Sequence, residues 1–323
     1  MPLPMPRFHE DARAGQLYLE RGAEVADEAR RYAAEHRIRP AREDKVRIAA
    51  FGIDVQVAFC TPGASLFVPG AVEDTQRALR FLYSHLDRVT ELVFSLDTHR
   101  AFQIFHPAWW KDAEGRPPAP LSVITAADVR AGRWRATRFP EESLAYCERL
   151  EASGRYVLTI WPYHALLGGL SHALVPAVYE ASLFHALVRD TPTHFELKGE
   201  HPLTENYSVL SPEVTEVKGQ KVGEFNTRLF AHLMSFDRVY VFGQAKSHCV
   251  LSTLRDLRQH IERTDRSKMG RIFILEDAMS PVPAPPLEPL PPALDFPRVA
   301  AAALEDFQAA GMRVVRTTDP LDA

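Results

Sequence analysis

The chain has 323 residues, which fits one large domain or two modest ones at roughly 100–200 residues per domain. Thirty-eight Lys+Arg against 42 Asp+Glu leave a net charge of −4, so no broad positive field favours nucleic acid. No 18-residue apolar run or apolar leader is present, and three cysteines (Cys60, Cys147, Cys249) make no disulfide framework. A cytoplasmic protein without membrane contact is expected.

In chain order, residues 1–45 are charged and helix-compatible and read as an added helical arm. Val46–Asp54 (VRIAAFGID) reads as a buried strand ending in an acid. Gly70–Arg88 carries helical apolar spacing, and Glu91–Asp97 (ELVFSLD) is a second acid-ending strand. Tyr156–Trp161, His194–Lys198, Arg238–Phe242, Arg271–Leu275 and Met312–Val315 complete the strands. Helices fit at Leu170–Val188, Glu224–Ser235, Cys249–Arg263 and Arg298–Ala310. Apolar strands alternating with helices predict an α/β fold, a parallel sheet covered on both faces. Ligands in such folds gather beyond the carboxyl ends of the strands, which draws attention to Asp54, Asp97, Lys198 and the turn before Cys249. Two segments interrupt the alternation: a Trp-containing insertion at about 107–155, and 281–297, with eight prolines in seventeen residues. The expected organisation is an N-terminal extension (1–45) and one elaborated domain (46–323).

Cys249 follows a strand and a Gly-containing turn and opens a helix. The dipole and free N–H groups there favour thiolate, lower the thiol's pKa and can hold an oxyanion. Free cysteines are more often buried small hydrophobes, and Cys60 and Cys147 take that reading. Asp97, His99, His106 and His164 form a mixed N/O set suited to a divalent metal, although Asp-x-His is also common in solvated loops. Asp54 and Lys198 sit at strand ends: a carboxylate there can carry a thiol's proton, and a lysine between can hold it ionised. Each alone is more often a solvated terminus. Their joint presence with Cys249 gives them weight.

These blocks resemble the cysteine amidohydrolases of the nicotinamidase/isochorismatase-like superfamily, nearest to nicotinamidase. Asp54-Val55-Gln56-Val57-Ala58-Phe59 resembles the opening Asp-x-Gln-x-x-Phe, and Asp97-Thr98-His99 the metal-binding Asp-x-His. Trp161-Pro162-Tyr163-His164 resembles Trp-Pro-x-His. Lys198-Gly199 resembles the catalytic Lys-Gly, with Glu205-Asn206-Tyr207-Ser208 after it, and Gly243 to Val250 the nucleophile turn. The resemblance implies a three-layer (α/β/α), Rossmann-like isochorismatase-type fold with insertions. It implies Cys249 as nucleophile, Asp54 as proton carrier and Lys198 as third member. Ala245 and Cys249 N–H groups would form the oxyanion hole, with the Gln244–Ala245 peptide cis. Phe59, Trp161, Gln56 and Tyr207 would meet the substrate. Asp97, His99 and His164, with His106 as a fourth candidate, would hold zinc, iron or manganese.

The implied activity is hydrolysis of nicotinamide or a related small heteroaromatic amide to acid and ammonia, in a homo-oligomer. Two alternatives stand beside it: another small amide or N-carbamoyl substrate on the same machinery, and a non-catalytic binding or assembly protein on this scaffold. Departures from the family pattern bear on substrate. ALLGGLSHAL follows His164, Ser247 stands two positions before Cys249 where an acid is usual, and the Trp-containing insertion is large.

Overall fold

The computed structural model describes residues 2–154, 156–284 and 288–321. Six strands build one parallel sheet: β1 (Ile48–Ile53), β2 (Glu91–Asp97), β3 (His194–Lys198), β4 (Arg238–Gly243), β5 (Ile272–Leu275) and β6 (Arg313–Val315). Their spatial order is β3-β2-β1-β4-β5-β6. The chain therefore winds outward in both directions from β1, and the crevice between β1 and β4 is the switch point where such folds bind ligands.

Successive strand side chains point to opposite faces, so these apolar strands feed two cores. Ala49, Phe51, Val93, Val241 and Ile274 pack on one side against helices Thr227–Leu233, Cys249–Thr264 and Phe296–Ala310. Ala50, Leu92, Phe94, Phe242 and Leu275 pack on the other against Ala71–Ser84 and Pro176–Arg189. This is the expected α/β/α arrangement. No described helix is long and apolar enough to cross a membrane.

Three segments depart most from the sequence reading. Tyr156–Trp161 does not enter the main sheet: only Leu158–Thr159 is strand, in a small antiparallel ladder with Val123–Ile124. Pro162 follows it and lacks the N–H a central strand must donate. The helix expected from Leu170 starts at Pro176, where the ring suits the first helical turn. Within 1–45 the α-helix is confined to Gly22–His36, with short 3₁₀ turns at Asp11–Gly15 and Ala41–Glu43.

That N-terminal segment is tied down by charge. Glu180, buried on Pro176–Arg189, accepts from the Arg21 backbone N–H (2.8 Å), Arg21 Nε (3.1 Å) and Nη2 (2.9 Å), and Tyr18 Oη (2.9 Å). The Trp-containing insertion is likewise part of the core. Trp109 and Trp110 are buried, their indole N–H groups donating to Ser143 Oγ (2.9 Å) and Ile104 O (2.6 Å). Of the Pro-rich stretch, residues 285–287 lie outside the described residues, as does Arg155 at the end of the insertion.

Candidate active site

Strand register assembles the site. Asp97 pairs with Lys198 across β2 and β3, and Ile53 with Ser95 across β1 and β2. Asp54, one residue beyond β1, therefore emerges beside them. Its φ of 49° is left-handed, a conformation Asp tolerates better than most side chains, and it aims the carboxyl back across the strand ends. Ser95 Oγ donates to Asp54 Oδ1 (2.6 Å), a partner that the apolar look of ELVFSLD does not advertise.

Lys198 is the hub. Its Nζ lies 3.0 Å from Asp54 Oδ2 and 2.8 Å from Asp97 Oδ1, donates to Asn206 O (2.8 Å), and reaches Cys249 Sγ at 3.7 Å. All four side chains are buried. The Asp54 Oδ2 contact is close yet poorly aligned for a hydrogen bond, so that oxygen keeps a lone pair free. After Lys198 the chain must bend away at once. Gly199 has φ +87°, and a Cβ there would come within 2.9 Å of His99 Cε1.

Cys249 opens its helix after a turn that starts at Gly243, where φ is +118° and a Cβ would strike Ile53 O at 2.1 Å. The Gln244–Ala245 peptide is cis. Among the described residues, neither the Ala245 N–H nor the Cys249 N–H has an acceptor, so both are available to an incoming oxyanion. The expected lowering of the Cys249 pKa is not what the site imposes. Burial pushes the thiol well up, Lys198 opposes it, and the Asp54 and Asp97 charges add to the rise. The resting sulfur is a thiol. Burial raises Asp54 as well, against the pull of Lys198, while the Asp54 and Asp97 charges hold Lys198 protonated despite its burial.

Asp97 faces two ways. Oδ1 takes Lys198, and Oδ2 lies 2.7 Å from His99 Nε2 and 3.4 Å from His164 Nε2. Burial alone would raise Asp97, but His99, Lys198 and His164 hold it well below the ordinary carboxylate range. The donor atoms of Asp97, His99 and His164 converge within 4.8 Å of one another. His164 Nδ1 sits 2.7 Å from Pro162 O, so that nitrogen donates and the ring is oriented with Nε2 toward the carboxylate. His106 repeats the arrangement: Nδ1 is held by Arg100 O (3.0 Å), and Nε2 is buried with no partner. Burial pushes His106 down to about 3, which keeps that lone pair free. His106 lies outside the converging trio, its ring 5.8 Å from His99 and 6.0 Å from His164. Imidazole nitrogens converging on a carboxylate, with the far nitrogen of His164 held by a backbone carbonyl, fit a divalent cation.

Phe59, Trp161, Tyr207, Ala245 and Cys249 line one pocket with His164, Glu205 and His248. Gln56 does not line it. Its amide is committed to the Asp97 backbone on both sides (Nε2 to O, 2.9 Å; Oε1 from N–H, 2.7 Å) and to His172 O (2.7 Å). It orients Asp97 instead. Glu205 adds a role that spacing did not reveal. It is fully buried, burial and nearby Asp97 raise its pKa well above the ordinary carboxylate value, and Trp161 Nε1 lies 3.2 Å from its Oε2.

No family model matches the sequence, and no curated protein matches it. Solved structures do. A nicotinamidase/pyrazinamidase from Acinetobacter baumanii superposes with TM-score 0.52 at 18% identity, covering 86% of this chain and 99% of that one. The yeast nicotinamidase gives 0.52 at 18% identity over 84% and 99%. The yeast enzyme bound to the inhibitor nicotinaldehyde gives 0.53 at 18% identity over 83% and 99%. The likeness establishes that this chain shares the α/β fold of those proteins.

Proposed function

We propose that the chain is a metal-containing cysteine amidohydrolase acting on nicotinamide or a related small heteroaromatic amide. The observation that carries this reading is Lys198 Nζ standing within reach of Asp54, Asp97 and Cys249 at once. One buried ammonium thereby couples a thiol, a proton acceptor and the carboxylate of a metal-type cluster.

The chemistry follows from which group is charged. Cys249 rests as a thiol, so attack on the amide carbon requires its proton to pass to Asp54, whose Oδ2 lone pair is open. Lys198 stabilises the developing thiolate and holds Asp54 anionic until the proton arrives. The carbonyl oxygen becomes an oxyanion taken up by the N–H groups of Ala245 and Cys249. Asp54 then returns the proton to the leaving nitrogen, and ammonia departs from a thioester. Water entering that place loses a proton to Asp54 and attacks the thioester carbon. The carboxylic acid leaves, and Cys249 recovers its proton from Asp54.

Asp97, His99 and His164 would hold the metal, with His106 beside them as a fourth candidate. A bound divalent ion supplies a Lewis acid for a ring nitrogen or a water. Phe59 and Trp161 offer apolar walls to a flat ring, and Tyr207 closes the pocket beside them.

Ammonia release from nicotinamide by the purified chain, with metal content measured on the same sample, tests the reading. Turnover that disappears in a folded Cys249→Ala variant is the expected result. Full activity in that variant sinks the thioester mechanism. Turnover of other amides but not nicotinamide moves the substrate and keeps the machinery.

A further inference from the structure

The pocket at Cys249 is tight, about 30 Å³. Next to it lies a hollow of about 700 Å³, the size of an ordinary small-molecule site. Trp161, Tyr207 and His248 line both spaces, so the wall of the reaction pocket is also a wall of the hollow. Its remaining walls come largely from segments that the strand–helix alternation does not need. Val123, Glu151 and Gly154 belong to the Trp-containing insertion, Tyr156 and Val157 come directly after it, and Leu294 and Phe296 belong to the Pro-rich stretch.

The shared wall is aromatic. The His248 ring lies 4.8 Å from Phe296, 5.4 Å from Tyr207, 5.7 Å from Trp161 and 6.1 Å from Tyr156, stacked on the last. Its Nδ1 is paired with Ser247 Oγ at 2.9 Å. Ser247 stands where an acid is usual in the family resemblance, so this part of the wall carries no negative charge.

Two charged residues line the hollow, Glu151 and Arg255. Glu151 is occupied, its Oε1 accepting from Ala126 N–H at 2.7 Å. Arg255, half-buried on the helix that Cys249 opens, makes no hydrogen bond or ion pair with any described residue. A guanidinium partly withdrawn from water against apolar walls is costly to leave alone, and its planar fork matches a carboxylate.

We propose that this hollow receives the remote end of the substrate, and that the preferred substrates are small amides continuing through an apolar body to a terminal carboxylate paired with Arg255. The proposal rests on the amidohydrolase reading for the reaction at Cys249 and goes beyond it in substrate class. It accounts for a reaction pocket that is small while the space beside it is large. It also gives the insertion and the end of the Pro-rich stretch a common task.

Binding to the Cys249→Ala chain tests it without turnover. The probes are monoamides of α,ω-dicarboxylic acids of increasing length, their methyl esters, and nicotinamide, followed by titration calorimetry. Long monoamides should bind at least about 10-fold tighter than their esters, the scale of one charge-assisted pair. Arg255→Gln should abolish that preference, Arg255→Lys should restore part of it, and neither should alter nicotinamide binding. A preference that survives Arg255→Gln, or no preference, overturns the assignment. So does a long monoamide that binds together with nicotinamide instead of competing, because the hollow would then serve a separate effector. Correct binding with no hydrolysis by the unsubstituted chain would support the hollow and remove the amidohydrolase reading.

Discussion

Replacing Asp54 by Asn separates proton transfer from thiolate stability, because the two respond in opposite directions. Asn tolerates the left-handed φ of 49° and can keep the hydrogen bond from Ser95, so the fold should survive with a loss within about 1–3 kcal/mol. Lys198 stays anchored by Asp97 at 2.8 Å and Asn206 O at 2.8 Å. At 3.7 Å from Cys249 Sγ its charge is worth about 4 kcal/mol to a thiolate at an effective dielectric near 20. In the native site much of that is offset by Asp54, 3.0 Å from the ammonium, and by Asp97. Removing the Asp54 charge should release about 1–3 kcal/mol of it and lower the thiol pKa. Alkylation of Cys249 at neutral pH, followed peptide by peptide by mass spectrometry, should then accelerate by about 10-fold or more. Amide turnover should fall by about 10²–10⁴, because the positioned proton carrier is gone. Faster alkylation with slower turnover is the signature. If alkylation slows in step with turnover, Asp54 is not raising the thiol pKa and the electrostatic account fails. If turnover persists, Asp54 is not the proton carrier.

Three further outcomes follow from the same geometry. His164→Ala should remove the bound divalent metal, about one per chain, while circular dichroism stays native; unchanged metal by elemental analysis would exclude His164 as a ligand. Arg21→Ala should cost about 2–4 kcal/mol at neutral pH, since Glu180 loses its guanidinium and keeps a buried charge. Burial would raise Glu180, but the Arg21 and Tyr18 hydrogen bonds hold it below its ordinary value. Its contribution is therefore present above the unfolded carboxylate pKa, about 4.3, and fades as pH falls through the lower folded value. Urea titrations at neutral and strongly acid pH should show the Arg21→Ala deficit shrinking, and an equal deficit at both would refute the pairing. Trp110→Ala should destabilise by about 3–5 kcal/mol in chemical denaturation, as for any large core side chain. A loss under about 1 kcal/mol would mean the insertion is an appended flap.

Local pattern alone, read along the chain, was enough for the parallel α/β architecture. Runs such as VRIAAFGID and RVYVF are apolar on both faces, which only a sheet covered on both sides accommodates, and helical periodicity fills the intervals. The order of Asp54, Asp97, Lys198 and Cys249 at strand ends and a helix start was legible for the same reason: such termini share one edge of a parallel sheet. Distance and sign were not. That Asp97 meets Lys198 is a matter of β2–β3 register, and that Asp54 joins them depends on β1 ending opposite Ser95. Gln56 looked like a substrate contact until folding set its amide against the Asp97 backbone. Tyr156–Trp161 has strand composition, yet Pro162 and an antiparallel neighbour keep it out of the sheet. Cys249 carries every local mark of a lowered thiol pKa, and burial beside two carboxylates reverses it. Backbone preference is local and therefore written in neighbouring residues, whereas desolvation and charge coupling depend on which distant side chains share a volume, and only the tertiary structure decides that.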